Sequence, residues 1–377
     1  MDKKEKIRVF VDAHTFDAEF QGSRTFIKEI YNLLAQKETL QLYIGAFHAD
    51  QLEKYFPVNP SVHFIKLKSR SPFIRLLIDI PAIIKKYRIH YAHFQYIAPL
   101  RKRCKFIVTI HDVIFMEHPG EFPFLYRFSK KILFKRAAAQ ADILTTDSSY
   151  SKKAIHKYLG IDEARIQLVP IAVNEKYFDA YNKDKVKAEF KAIHGFDKFI
   201  LFISRIEPRK NHAVLLQAFI DLQLYLQRYR LVFIGHESIK TPAFDKMMDQ
   251  LPEEIRSFII IRNDVPEEEL LLFYRASSLF VYPSKAEGFG IPPLEAAATG
   301  TPVICSNTSA MSDFNFFGEN HFNPADGNLL KERITAILTV KPDTDSLTWL
   351  ANQVSEKYSW QHSAEELYRL IETDYNK

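Results

Sequence analysis

Short runs rich in Val, Ile, Leu and Phe alternate with segments of helical period along nearly the whole chain. That alternation restricts the fold to parallel βαβ units in doubly wound sheets. The runs at 7–11, 40–45, 62–67, 91–94, 106–110, 143–146 and 166–169 read as strands. Helical periods at 25–34, 73–86, 122–139 and 151–158 fall between them. The pattern then starts again, with strands expected at 199–203, 230–234, 258–261, 279–281 and 303–305 and helices at 212–225, 267–276 and 294–299. The polar stretch 174–196, helical in part, separates the two series and reads as the linker and the entry to the second domain. With 377 residues, the chain has enough material for two cores. The expected α/β architecture is two Rossmann-like domains with parallel sheets, residues 1–180 and 181–358, with a terminal helix at 359–377 that returns to the first. Open sheets of this kind bind ligands beyond the carboxyl ends of their strands, which here predicts a cleft between the two domains.

The net charge of +5 is unevenly spread. Residues 1–180 carry 29 Lys and Arg against 19 Asp and Glu, or +10; residues 181–377 carry 22 against 27, or −5. A basic first half points to an anionic partner. Cys104 and Cys305 stand far apart and form no paired motif, which argues against a disulfide framework or a zinc site. No stretch reaches the ~18 uncharged apolar residues of a membrane span, and the charged start lacks the apolar run of a signal peptide. The expectation is a cytoplasmic protein, at most peripheral on the inner face of the cell membrane.

The most informative segment is Tyr282-Pro283-Ser284-Lys285-Ala286-Glu287-Gly288-Phe289-Gly290-Ile291-Pro292-Pro293-Leu294-Glu295. It follows an apolar run and enters an Ala-rich helix. Pro292 and Pro293 suit a first helical turn, where no N–H is needed. Gly288 and Gly290 allow the backbone to approach a ligand closely, with amides and the helix N-terminus directed at phosphate oxygens. Glu287 and Glu295 flank the turn, and a carboxylate accepts well from two vicinal hydroxyls. A second segment, Ser204-Arg205-Ile206-Glu207-Pro208-Arg209-Lys210-Asn211, also links an expected strand to a helix. Fixed cations there would stabilise a departing diphosphate more in the transition state than in the ground state, with no divalent metal required.

The run from Glu287 to Glu295, with Gly300-Thr301-Pro302-Val303-Ile304 behind it, resembles the E-x7-E signature of retaining glycosyltransferase family 4, which has the GT-B fold. The resemblance implies roles for individual residues. Glu287 would contact hydroxyls of the transferred sugar, Glu295 would hold the ribose, and Gly288, Phe289, Gly290 and Ile291 would line the donor with their backbone. Arg205 and Lys210 fall on the two diphosphate-binding positions, with Arg209 a surface charge. Val265, in Arg262-Asn263-Asp264-Val265-Pro266, matches the loop that meets the nucleobase. His111, in Thr109-Ile110-His111-Asp112-Val113, would reach toward the donor sugar, with Asp112 orienting its imidazole. Gly22, in Phe20-Gln21-Gly22-Ser23-Arg24, stands where the family often carries paired glycines near the diphosphate. The tail resembles the terminal helix of GT-B proteins, with Trp360 as its packing anchor.

The implied reaction is transfer of a hexose, with retention, from a nucleotide sugar to a glycan or lipid-linked acceptor. The nucleotide sugar is a co-substrate, and neither a further cofactor nor a metal is expected. The run Glu207-Pro208-Arg209-Lys210-Asn211 resembles a subgroup with many mannosyltransferases, which makes GDP-mannose the first donor to consider, ahead of a UDP-sugar. Segments 74–88 and 122–136 mix apolar and basic residues, as do helices that lie on anionic membrane surfaces. The rival to an enzyme is a non-catalytic protein that binds anionic ligands or nucleic acid. No nucleic-acid recognition motif accompanies the basic half, so nucleic acid is not expected as a partner. A dehydrogenase is disfavoured by the missing Gly-x-Gly-x-x-Gly after either leading strand.

Overall fold

The computed structural model describes residues 5–17, 22–340 and 342–377. It divides into two compact units, Met1–Ile171 with Trp360–Lys377, and Ala172–Ser359. Phe20 and Gln21, part of the glycine loop singled out above, lie outside the described residues.

The first unit holds a seven-stranded parallel sheet of β1 (Ile7–Asp12), β2 (Leu40–Ala46), β3 (Val62–Lys66), β4 (Tyr91–Gln95), β5 (Lys105–Thr109), β6 (Ile143–Thr146) and β7 (Ile166–Leu168). Their spatial order is β3-β2-β1-β4-β5-β6-β7. Val9 pairs with Leu42 on one side and Tyr91 on the other, so β1 is the central strand where the winding reverses. Burial on both faces explains the nearly unbroken apolar runs: Val9, Phe10, Val11, Phe106, Ile107 and Val108 are fully buried. The closing helix, Trp360–Tyr375, packs on Gly22–Leu34, where the Trp360 indole meets the Phe26 ring.

The second unit repeats the design with β8 (Phe199–Ile203), β9 (Arg230–Ile234), β10 (Ile259–Arg262), β11 (Leu279–Tyr282), β12 (Val303–Ser306) and β13 (His321–Phe322) in the order β10-β9-β8-β11-β12-β13. Ile200 pairs with Leu279, which places the reversal between β8 and β11. Ligands bind at such a switch point, beyond the carboxyl ends of the strands. The two segments singled out above follow these two strands.

The whole stretch expected to hold the linker and the entry to the second domain belongs to the second unit. Tyr177 packs edge-on against Tyr274, the Arg275 guanidinium donates to the carbonyls of Lys176 and Asp179, and the helix Lys183–His194 packs against Glu267–Ala276. The division therefore falls at Ile171, before the expected boundary at 180. Its polar composition reflects a helix that buries only Phe190. Two helix limits also shift. The helix expected to reach 225 ends at Asp221, because Gln223 adopts a left-handed conformation with φ 49°. The helix expected from 294 begins at Ile291, so Glu295 sits in its second turn. The two-residue strand β13 is too short to show as a run.

Gly235 lets the switch point close tightly. It ends β9 with φ +139°, and a Cβ built there would lie 2.0 Å from the carbonyl oxygen of Ser204, just beyond β8. Only glycine fits that conformation and that approach. Gly235→Ala is expected to cost at least ~2 kcal/mol through the strained φ and displaced loop, read as a lower denaturation midpoint at unchanged m-value.

Candidate active site

At the carboxyl ends of β8 and β11, five side chains form a row of alternating charge. The Arg205 Nε lies 3.4 Å from Glu207 Oε1, the Arg209 guanidinium 2.6 Å from Glu207 Oε2 and 3.4 Å from Glu287 Oε2, and the Lys210 ammonium 2.6 Å from Glu287 Oε1. Three cations against two carboxylates leave a net positive charge. Arg205 is exposed at the end of the row, and the other four members are buried.

The local sequence accounts for this arrangement. Pro208 starts a short turn, Pro208–Lys210, and Asn211 reverses the backbone with φ 63°, its amide donating to the carbonyls of Pro283 and Pro324. That turn directs Arg209 and Lys210 inward. The Lys285 amide donates to the Arg209 carbonyl at 2.7 Å, which ties the loop after β11 to the loop after β8. The Arg209 side chain adds a bond to the Ala286 carbonyl at 2.9 Å. Arg209, expected at the surface, is instead the link between the loops. A guanidinium can bridge two carboxylates and a carbonyl at once because its donors form a planar fork.

Glu287 is saturated. Its Oε1 accepts from Lys210 and from the Tyr282 hydroxyl at 2.7 Å, and its Oε2 accepts from Lys210 at 2.7 Å and from Arg209 at 3.4 Å. Those four donors occupy about all the lone-pair positions a carboxylate has. Burial disfavours its charge, but Lys210 and Arg209 outweigh that and hold its pKa down at about 2. The sequence reading had Glu287 facing a sugar. In this structure it faces Lys210, and Lys210 faces it. The Ser309 hydroxyl accepts from the Glu287 amide at 2.8 Å and fixes the backbone.

Glu295 has a different environment. Its Oε2 accepts from the Tyr274 hydroxyl at 2.7 Å, and among the described residues no cation forms an ion pair with it. Burial, with the Glu267 charge adding to it, outweighs the tyrosine bond and pushes its pKa up to about 7. Gly288, Phe289, Gly290 and Ile291 connect the two glutamates. The Phe289 ring is buried edge-on against Phe314 and Tyr358, which pins the loop. Gly290 has φ +101°, and a Cβ there would meet Met311 Cγ at 2.9 Å. Pro292 and Pro293 carry no N–H, so the helix start offers a ligand mainly the amides of this loop. Val265 lies half-buried in the loop between β10 and Glu267–Ala276, preceded by Asp264 with φ 51°.

In the first unit, His111 follows β5 and is buried. Its Nδ1 lies 2.7 Å from Asp147 Oδ2 and its Nε2 3.2 Å from Gln95 Oε1. The rings of Phe26 and Tyr96 pack edge-on against it. Burial disfavours the charged ring, but Asp147 outweighs that and raises its pKa. The orienting carboxylate is therefore Asp147, not Asp112. Asp112 accepts from the Ile114 amide at 3.1 Å and caps the next helical turn. Gly22 opens the helix Gly22–Leu34 at the surface, and among the described residues nothing beyond its chain neighbours and its own helix backbone lies within 4 Å of a Cβ built there.

Sequence reasoning missed Arg209, Glu207, Tyr282, Tyr274, Asp147 and Gln95. Tyr282, Gln95 and Asp147 each end or follow a parallel strand, the position where sheets of this kind place ligand-binding groups. That position was a legible signal.

Glu287→Gln would leave Lys210 and Arg209 buried with one countercharge fewer, at an expected cost of ~3 kcal/mol at neutral pH. Because the pKa of Glu287 is depressed on folding, its contribution is present above pH ~4.5 and is lost as the pH falls toward ~2. Urea denaturation at several pH values should show a steeper acid loss in the wild type than in the variant.

Comparison with known proteins identifies the family. Residues 20–177 match the family described as Glycosyltransferase Family 4, and residues 185–348 match Glycosyl transferases group 1. O-antigen chain mannosyltransferase B of Escherichia coli is 27% identical over 293 residues, covering 73% of this chain and 75% of that protein. The serotype-specific mannosyltransferase WbdA of Escherichia coli is 27% identical over 60% of this chain, which spans only 28% of that longer protein. Among solved structures, sucrose-phosphate synthase from Thermosynechococcus elongatus superposes with a TM-score of 0.77 over 99% of this chain and 100% of its own, at 18% identity, a likeness of fold alone. With both halves matched and the GT-B fold in place, this chain belongs to the group 1 glycosyltransferases of glycosyltransferase family 4.

Proposed function

We propose that this glycosyltransferase moves a hexose, with mannose the first candidate, from a nucleoside diphosphate sugar to a glycan or lipid-linked acceptor, retaining the anomeric configuration. The observation that carries the reading is the row Arg205–Glu207–Arg209–Glu287–Lys210 at the switch point of the second unit. A leaving diphosphate gains negative charge as the glycosidic bond breaks, and cations already fixed in place stabilise that charge without reorganising. Lys210 spends two of its three N–H bonds on Glu287, which leaves one for a phosphate oxygen. Arg205, at the exposed end of the row, supplies a second contact. No divalent metal is needed, because the chain's own cations meet the charge. The departing diphosphate then takes the proton of the acceptor hydroxyl on the same face of the sugar.

On this reading Glu287 acts in two ways. It holds Lys210, and it receives a sugar hydroxyl in place of the long bond from Arg209. Glu295 accepts from the ribose, the amides from Gly288 to Ile291 line the donor, and Val265 borders the base. His111 is the first unit's candidate for the transferred sugar, and Asp147 favours its protonated form.

Lys210→Ala is expected to lower transfer from GDP-mannose or a UDP-sugar at least ~100-fold. The same variant should weaken GDP and UDP binding by calorimetry. Glu287→Gln should weaken it as well, because Lys210 loses its support. Full transfer by both variants would reject the reading.

Ribose hydroxyls bind an ionised Glu295 best, and its pKa of about 7 before donor binding means a proton must leave. Nucleoside diphosphate binding should therefore release protons between pH 6 and 7 and tighten as the pH rises through that window. Calorimetry in two buffers of different ionisation enthalpy measures the release. Glu295→Gln should abolish it.

A further inference from the structure

Glu207 is 3% exposed, and among the described residues its two oxygens meet three side chains. Its Oε2 faces the Arg209 guanidinium at 2.6 Å. Its Oε1 is shared: the Ser238 hydroxyl donates to it at 2.6 Å, and the Arg205 Nε stands 3.4 Å away. The two contacts at Oε1 are unequal. A hydroxyl donating to a carboxylate at 2.6 Å makes a short, charge-assisted hydrogen bond, whereas a guanidinium nitrogen at 3.4 Å acts mainly through its charge. Burial disfavours the charge of Glu207, but Arg209, then Ser238, then Arg205 outweigh it and hold the pKa below the usual carboxylate range. Ser238 therefore does more than Arg205 to keep this buried anion satisfied.

Ser238 comes from a third loop. Residues 235–240 follow β9 and lie along the loop after β8. The Ile206 amide donates to the His236 carbonyl at 2.9 Å, the Ser238 amide donates to the Ile206 carbonyl at 3.2 Å, and Ile206 forms a parallel bridge with Glu237. The close approach of Gly235 to Ser204 brings the two loops into register. Backbone bonds alone thus hold the Ser238 hydroxyl beside Glu207, with no help from Arg205.

This matters because Arg205 must leave Glu207 to meet a diphosphate. Its side chain is 58% exposed and can move. A buried carboxylate that loses a cation and gains nothing in its place is strongly destabilised, so a Glu207 without Ser238 would retain Arg205. With Oε1 accepting from Ser238 and Oε2 from Arg209, Glu207 stays paired after Arg205 departs. We propose that Ser238 is a positioning residue for donor binding: by occupying Oε1 of Glu207 it releases Arg205 to the diphosphate, while Glu207 keeps Arg209 in place. The inference rests on the proposed role of Arg205 and adds the residue that sets how readily this cation moves. Ser238 acts through Arg205 and makes no contact of its own with the donor.

The experiment is calorimetry of GDP and UDP binding by the full chain. Ser238→Ala should weaken binding about ten-fold, the scale of one hydrogen bond to a charged group. Ser238→Thr keeps the hydroxyl and should bind as the wild type does. Arg205→Ala should also weaken binding, and adding Ser238→Ala to it should cause no further loss, because no guanidinium remains to be held. Ser238 is exposed, and its backbone bonds do not involve the side chain, so each single variant should keep the wild-type circular dichroism spectrum. Three results would overturn the proposal: Ser238→Ala binding as the wild type does, Ser238→Thr binding no better than Ser238→Ala, or Ser238→Ala weakening binding equally with and without Arg205, which would make Ser238 a direct contact or a part of the loop's own structure. An Arg205→Ala variant that binds as the wild type does would overturn the diphosphate role of Arg205 itself, a separate failure that the same series identifies.

Discussion

Arg209 reaches from the loop after β8 to the loop after β11, and the rest of the site depends on that reach. By bridging Glu207 and Glu287 it fixes the carboxylate that in turn fixes Lys210. Buried ion pairs are weak evidence for stability, since desolvation cancels most of the attraction. Their value here is position. A free lysine ammonium sweeps a wide volume on four rotatable bonds, whereas Lys210 held by both oxygens of Glu287 presents its charge at one point. Among the described residues, exposed Arg205 makes one long ion pair, to Glu207, which leaves its guanidinium able to close on a ligand.

The parallel sheet makes this assembly possible. Residues on distant stretches of chain, near 207 and near 287, meet because β8 and β11 are neighbours at the point where the winding reverses. Gly235 permits the close approach of the β9 end, and Phe289 anchors the glycine loop in an aromatic cluster with Phe314 and Tyr358. The two glutamates of the signature have opposite electrostatic character for a local reason. Glu287 lies against two cations, and Glu295 against tyrosine hydroxyls, so one stays ionised while the other titrates near neutrality.

Much of this was legible in the sequence. The strand runs, the doubling of the pattern and the Glu287–Glu295 segment carry local signals of hydrophobic period and turn chemistry. What was not legible depends on which elements become neighbours. Arg209 looked like a surface charge because nothing in Pro208-Arg209-Lys210 reveals that Ala286 and Glu287 will fold over it. Asp112 looked like the partner of His111 because it is next in sequence, but Asp147 directly follows the neighbouring strand β6 and stands beside the ring. Residues 174–196 looked like a linker because their helix buries only one side chain, Phe190, beneath a charged outer face.

The central claim is that Lys210, held by Glu287, contacts the diphosphate of the donor. A crystal structure of the chain with GDP or UDP bound tests it most directly. A β-phosphate oxygen is expected within hydrogen-bonding distance of Lys210 Nζ while at least one Lys210–Glu287 bond persists, with the Arg205 guanidinium turned toward the same phosphate. A diphosphate bound away from both residues, with the charged row unchanged, would contradict it.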